Sequence, residues 1–236
     1  MFKKFATITL IAILAAFAIP TAAFAGGNDA KLIVVHGING ADLGLPSDLP
    51  VDVSVNGQCA LPMFKFGDIA GPLTLPEGTY TVAISLADAV NPCDGTVVIG
   101  PADLMLMGGK AYSVVANLGN MAPLTPQVSV FEEDFSKSAS GKGRISVHHT
   151  ANAPAVDIAL DRNKKSAMIS DFAYGEQVTA EFRSGRYLVS IAPAGTQTIV
   201  FGPAPLRLKP FTSTLVYAVG TPGSTFTLLT KEVGLR

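Results

Sequence analysis

The side chains most able to do chemistry near neutral pH are three histidines, His36, His148 and His149, and each lies at the end of a strand that opens one half of the chain. Histidine titrates in the physiological range and ligates metals. With Asp52 following His36 around a longer loop and Asp157 following His148 and His149 more closely, the pattern offers a His and Asp pair in each half that could move a proton or hold a ligand. Ser146 or Ser190 with His148 and Asp157 assembles a triad on paper, but neither serine sits on the strand–turn–helix elbow that activates a nucleophile. We therefore read the histidines as strand-end groups that hydrogen-bond a neighbouring Asp or a backbone carbonyl, and we assign no catalytic residue. The run Glu132, Glu133, Asp134 reads as a solvated strand end before a linker. Asp42, Asp48, Asp88 and Asp94 lie on loops without the spacing of a twelve-residue calcium loop, so neither a metal nor a cofactor is expected.

The elements that must carry these residues occur twice. Val51-Asp-Val-Ser-Val matches Val156-Asp-Ile-Ala-Leu, Phe66-Gly67-Asp68 matches Tyr174-Gly175-Glu176, and Gly78-Thr-Tyr-Thr-Val-Ala-Ile matches Gly185-Arg-Tyr-Leu-Val-Ser-Ile. Ile99-Gly-Pro-Ala matches Phe201-Gly-Pro-Ala in the same order. In each match apolar residues alternate with polar ones at a period of two, the mark of a half-buried strand. Asn56-Gly57 is a strong hairpin-turn signal. Further strands are expected at Thr96 to Ile99, Leu104 to Leu106, Tyr112 to Leu118 and Val128 to Phe131, with counterparts at Thr198 to Phe201, Leu206 to Leu208, Thr214 to Val219 and Phe226 to Thr230. Short strands separated by Gly and Pro, without a capped helical period, give an all-β fold of two tandem immunoglobulin-like β-sandwich domains.

Lys3 and Lys4, the apolar run Phe5 to Ile19 and the Ala23-Phe24-Ala25 site read as a signal peptide over residues 1–25. The expected domains are 26–133 and 144–236, with 134–143 (DFSKSASGKG) as a flexible linker. The leader holds two of the 17 basic residues, and 18 are acidic, so the mature chain is weakly acidic and nucleic acid is excluded as a partner. No span of the mature chain is long enough to cross a membrane as a helix. Export to a periplasm or the extracellular space agrees with Cys59 and Cys93 forming one disulfide, the alternatives being free thiols or a metal pair without local ligands to complete it.

The sequence VHHTANAPAVDI, followed by FAYGE and SGRYLVSI, resembles the bacterial domain-of-unknown-function family 4397. His148, Pro154, Ala155, Val156, Asp157, Tyr174-Gly175 and Gly185-x-Tyr187 sit at its motif positions, and the first half matches at His36, Asp52, Phe66-Gly67 and Gly78-Thr79-Tyr80. The first half departs from the pattern in a longer loop from Gly37 to Pro50. The resemblance implies two tandem exported β-sandwich modules and no particular activity. The expected function is non-catalytic binding of a protein or cell-envelope component through the first-unit loops, where Leu43, Leu45 and Leu49 either fold onto the core or form a contact patch. The alternatives are a hydrolase using the His and Asp pair, or a glycan-binding module.

Overall fold

A computed structural model describes residues 29–163 and 165–235; the expected signal peptide at 1–25 lies outside them. The alternating segments form β1 (Ala30–His36), β2 (Val51–Val55), β3 (Gln58–Phe64), β4 (Ile69–Leu75), β5 (Gly78–Leu86), β6 (Val97–Leu106), β7 (Ala111–Leu118) and β8 (Pro126–Glu133) in the first half. The second half gives β9 (Lys142–His149), β10 (Val156–Arg162), β11 (Lys165–Phe172), β12 (Gln177–Arg183), β13 (Gly185–Pro193), β14 (Phe201–Leu208), β15 (Thr212–Val219) and β16 (Thr227–Gly234). Each half is a sandwich of two four-stranded sheets. The orders β4-β1-β7-β8 and β3-β2-β5-β6 in the first recur as β12-β9-β15-β16 and β11-β10-β13-β14 in the second. In both, the opening strand pairs parallel with the seventh. Asn56 and Gly57 both take positive φ, as the tight turn between β2 and β3 requires.

The two sandwiches stack. Sheet β4-β1-β7-β8 packs on its own partner sheet through Tyr112, Val114, Ala116 and Leu118, and on the second sandwich through Val115 and its neighbours. On the other side, β15 turns Val216 and Ala218 inward and Leu215, Tyr217 and Val219 toward the first sandwich. The result is four sheet layers with three apolar interfaces, and the two inner sheets are covered on both faces. Strand β7 is accordingly buried along its whole length, while the outer strands β3 and β6 are exposed at alternate or successive residues.

Two expectations need correction. Thr96 to Ile99 and Leu104 to Leu106 are not separate strands but one continuous β6, and β14 likewise runs through its Gly-Pro. Both are edge strands, where a proline costs no ladder hydrogen bond. Gly100 and Gly202 absorb the extra residue with φ of 84° and 89°, opposite register shifts at Val82/Ile84 and Val189/Ile191. A Cβ at Gly202 would lie 2.2 Å from the Val189 carbonyl oxygen. Gly202→Ala is therefore expected to lose at least about 1–3 kcal/mol, read as a lower thermal midpoint. The segment expected as a flexible linker is also pinned. Buried Arg144 donates to the carbonyls of Asp134 at 2.7 Å and Ser136 at 2.8 Å and pairs with Glu181 at 2.9 Å, so the chain between β8 and β9 is tied to the second sandwich.

Candidate functional site: an apolar cavity between the sheets of the second sandwich

The histidines divide differently from their sequence alignment. The parallel ladders pair His36 with Ala116 and His149 with Ala218, so His149 occupies the position of His36, and His148 stands where the first sandwich has Val35. A carbonyl can only accept. His36 Nε2 therefore donates to the Leu49 carbonyl at 2.9 Å, and its Nδ1 accepts the Ile38 N–H at 3.3 Å. His149 Nε2 donates to the Pro154 carbonyl at 3.2 Å. In both cases the ring staples the end of the opening strand to the residues that lead into β2 or β10. Burial is the main cause that holds both ring pKa values below the ordinary histidine value, against opposing contributions from the backbone bonds and from Asp68 or Glu176. The unfolded chain thus binds protons on these rings at a higher pH than the folded chain does. Stability is expected to be flat above about pH 7 and to fall as the pH drops below about 6.5, toward the depressed folded values. A thermal midpoint measured across pH 8 to roughly 5 checks the sign.

The aspartates serve backbone, not histidine. Asp52, fully buried, accepts the N–H groups of Met63 at 2.7 Å, Cys93 at 2.8 Å and Asp88 at 3.1 Å, and Asp157 accepts those of Asp171 and Gly195, both at 2.9 Å. Met63 and Asp171 both have positive φ, so each carboxylate holds a kinked edge-strand residue and the loop after the fifth strand of its sandwich. The His and Asp pair on which a hydrolase would depend is not brought together. Ser146 bonds Thr179 and Gln177. Of the first-unit loop leucines, Leu49 is buried in the core and Leu43 packs against it, which leaves Leu45 exposed. Cys59 and Cys93 form a disulfide. Among the described residues no group of three or more His, Cys, Asp or Glu side chains could hold a metal, and no helix is long and apolar enough to cross a membrane.

His148 faces the junction between the sandwiches. It stacks on Tyr217 at 4.6 Å between ring centroids, and Phe131 meets it edge-on at 4.8 Å. Its Nδ1 donates to the Val216 carbonyl at 3.1 Å, and its Nε2 lies 2.7 Å from Oε1 of buried Glu133, off hydrogen-bonding geometry. Ser113 donates to the same oxygen at 2.6 Å and accepts from the Tyr217 hydroxyl at 2.7 Å, while Gln177 donates to the other oxygen. Burial, helped by the Glu133 charge and opposed by the Ser113 bond, pushes the Tyr217 phenol far above its ordinary value. The cluster joins β7 and β8 to β9, β12 and β15, so it is a clasp between domains.

The feature that remains is a space. Between the two sheets of the second sandwich lies a cavity of about 750 Å³, walled by side chains such as Val147, Ile158, Ile169, Val178, Phe201 and Leu228. In the first sandwich a smaller pocket of about 100 Å³ lies beneath the Leu43 to Leu49 loop. The ladders explain the difference. Tyr112 and Leu118, which fill the first core, stand where the second has Thr214 and Gly220, and Ala180 on the cavity wall pairs with Ile145 as Leu73 pairs with Leu32. With those side chains shortened, inward residues such as Val178, Phe182, Leu206 and Phe226 are only half-buried. A void of this size falls within the range of small-molecule sites.

Residues 30–159 match the family described as a domain of unknown function (DUF4397). The chain belongs to this family. The match takes in the whole first sandwich and ends within β10, so most of the cavity wall lies beyond it. No curated protein matches. Among solved structures, the Bacillus anthracis TIE protein is similar at 10% identity, over 82% of this chain and 33% of that one, with a TM-score of 0.24. The chain thus spans about a third of that structure's length. Family membership names no ligand. The wall residues Ala153, Ala167, Ala180, Ala204 and Ala218 carry no signal when read singly, because alanine is at home in any core; only their comparison with the first sandwich gives them meaning.

Proposed function

We propose that the chain is an exported, non-catalytic binding module made of two copies of one sandwich domain, in which the second copy holds a small hydrophobic ligand between its sheets. The observation that carries this reading is the cavity itself, about 750 Å³ and walled almost entirely by apolar side chains. Close-packed interiors do not keep voids of that size, since each costs the contacts of the atoms around it. Polar groups that might have done chemistry support the non-catalytic part: His36, Asp52, Asp157 and Ser146 are each engaged in bonds that hold the fold. The first-unit loop offers less than its sequence suggests, because two of its three leucines face inward. The His148 and Glu133 cluster and the sheet contact beside it then make the first sandwich a rigid base for the second.

The test is titration with the uncharged dye Nile red. A single saturable site with blue-shifted emission is expected in the chain. Ala180→Leu and Ala204→Phe, which fill the space from two different strands, should each weaken binding about tenfold or more without lowering the thermal midpoint, because filling a void adds contacts. Dye binding that does not saturate, or that survives both substitutions, would place the site elsewhere and defeat the reading.

A further inference from the structure

The cavity is broad in two directions and shallow in the third. Side chains of every strand from β9 to β16 line it, so it extends about 14 Å across strands spaced about 4.8 Å apart, and the positions from Val156 to Leu160 carry it about 13 Å along them. Its depth is limited because aromatic rings of the two sheets meet at both ends. Near the loops His149 meets Phe172 and Phe201 meets Phe226, each at 5.7 Å between ring centroids, and at the other end Phe182 meets Tyr187 at 6.0 Å. These are contact distances for aromatic pairs. The two sheets therefore stand at an ordinary packing distance, and the space is what the shorter side chains between these rings leave open.

Shorter side chains mark both edges of one row across the strands. In the outer sheet the ladders align Ala167, Leu160, Val189 and Ala204, with an alanine on each edge strand. Ala180 lines the cavity from β12, an edge strand of the inner sheet. Exposed Met168 on β11, and exposed Val200, Pro205 and Thr230 on or beside β14 and β16, are also wall residues, so the space reaches solvent at both edges. Among the described residues no Asp, Glu, Lys or Arg lines it, and a charged ligand would lose its hydration without gaining a partner. Peptides and sugars fail group by group, because each N–H, C=O or hydroxyl would be left unpaired. A single hydrocarbon chain covers one narrow lane of the width and gives up rotational freedom along its length, whereas a rigid ring system spreads over both walls and gives up none.

We infer that the cavity binds a rigid, flat, uncharged ligand with a fused-ring hydrocarbon skeleton, lying across the strands from the Ala167 edge to the Ala204 edge. This rests on the proposed hydrophobic-ligand function. The faces of such a skeleton meet the aliphatic side chains of the two sheets, and its rim meets the aromatic rings at the ends, the edge contacts that ring systems favour.

The experiment is displacement of Nile red from the chain at pH 8 by naphthalenemethanol, decanol and adamantanol, uncharged alcohols with a flat, a linear and a cage-shaped skeleton. Each affinity is divided by the compound's own octanol–water partition coefficient, which removes plain hydrophobicity. On that scale the flat alcohol should bind about tenfold or more above the linear one, the cost of a few immobilised bonds. Adamantanol, too thick for the gap, should not displace the dye. Ala167→Phe and Ala204→Phe block opposite edges of the row, and each alone should weaken the flat alcohol about tenfold. The order of the three alcohols in the unaltered chain decides the shape even if a variant folds poorly. Equal corrected affinity for the flat and linear alcohols, displacement by adamantanol, or weakening by only one of the two edge substitutions overturns the inference. If Nile red binds and is lost in Ala204→Phe but the flat alcohol does not displace it, the cavity reading stands and the flat-ligand inference falls. If Nile red does not bind at all, both fall.

Discussion

Asp52→Ala is expected to destabilise the chain by about 3–5 kcal/mol, the largest loss at any of the positions that sequence alone suggests as a site. The carboxylate is inaccessible to solvent and is the acceptor for the N–H groups of Met63, Asp88 and Cys93. Truncation leaves these donors facing a void that no neighbouring acceptor is placed to fill, and each unsatisfied buried donor costs about 1–3 kcal/mol. Asp157→Ala removes only two such bonds, to Asp171 and Gly195, from a half-buried side chain, and should cost roughly 1–3 kcal/mol. Urea midpoints with unchanged slopes give both values. The ordering matters as much as the size. Were Asp52 and Asp157 members of functional pairs with the histidines, their removal would spare stability and abolish a bound ligand or an activity. A loss below about 1 kcal/mol for Asp52→Ala would contradict its role as the backbone's acceptor.

Glu133→Ala should cost a similar amount, about 3–5 kcal/mol, because one partner is taken out of a buried polar cluster and the rest stays. Ser113, Gln177 and His148 converge on this carboxylate from three strands and both sandwiches, and its side chain is 1% exposed. Glu133→Gln keeps the shape and one acceptor oxygen, and it should recover more than half of the loss. A stability deficit that persists in Glu133→Gln separates the clasp from simple packing, which Gln would restore completely. Full stability in Glu133→Ala would mean that the apolar contact of Val115 with Leu215 and Val219 alone carries the junction.

Much of this architecture is legible in the sequence because the period-two segments recur in the same order, and that order alone predicts two equal sandwiches. The junction is written there too, in a form that is easy to miss. AYSVVANL at β7 and TSTLVYAV at β15 are too apolar for strands with one wet face, and a strand covered on both sides reads in just that way. Strands β4 and β12 escape notice because Gly71-Pro72 interrupts the first and QVTAEFR alternates polar residues through the second, as edge strands can. The histidine register cannot be read from adjacent His148 and His149, since shifting a strand by one residue exchanges its faces. Pairing with Ala218 decides that His149 faces the sandwich interior and His148 the junction. Glu133, which reads in sequence as part of a solvated strand end, is buried because the second sandwich covers it. The cavity depends on differences between two cores, Thr214 for Tyr112 and Gly220 for Leu118, and a difference becomes visible only once the ladders align the halves.

The most direct measurement is a crystal of the chain held under xenon gas, since xenon settles in dry apolar cavities and marks them by its electron density. Xenon is expected between the sheets of the second sandwich, near Val147, Ile158 and Phe201, with none of comparable occupancy in the first. Sheets found packed in contact there, with xenon absent or confined to the junction and the surface, would contradict a ligand cavity in the second sandwich.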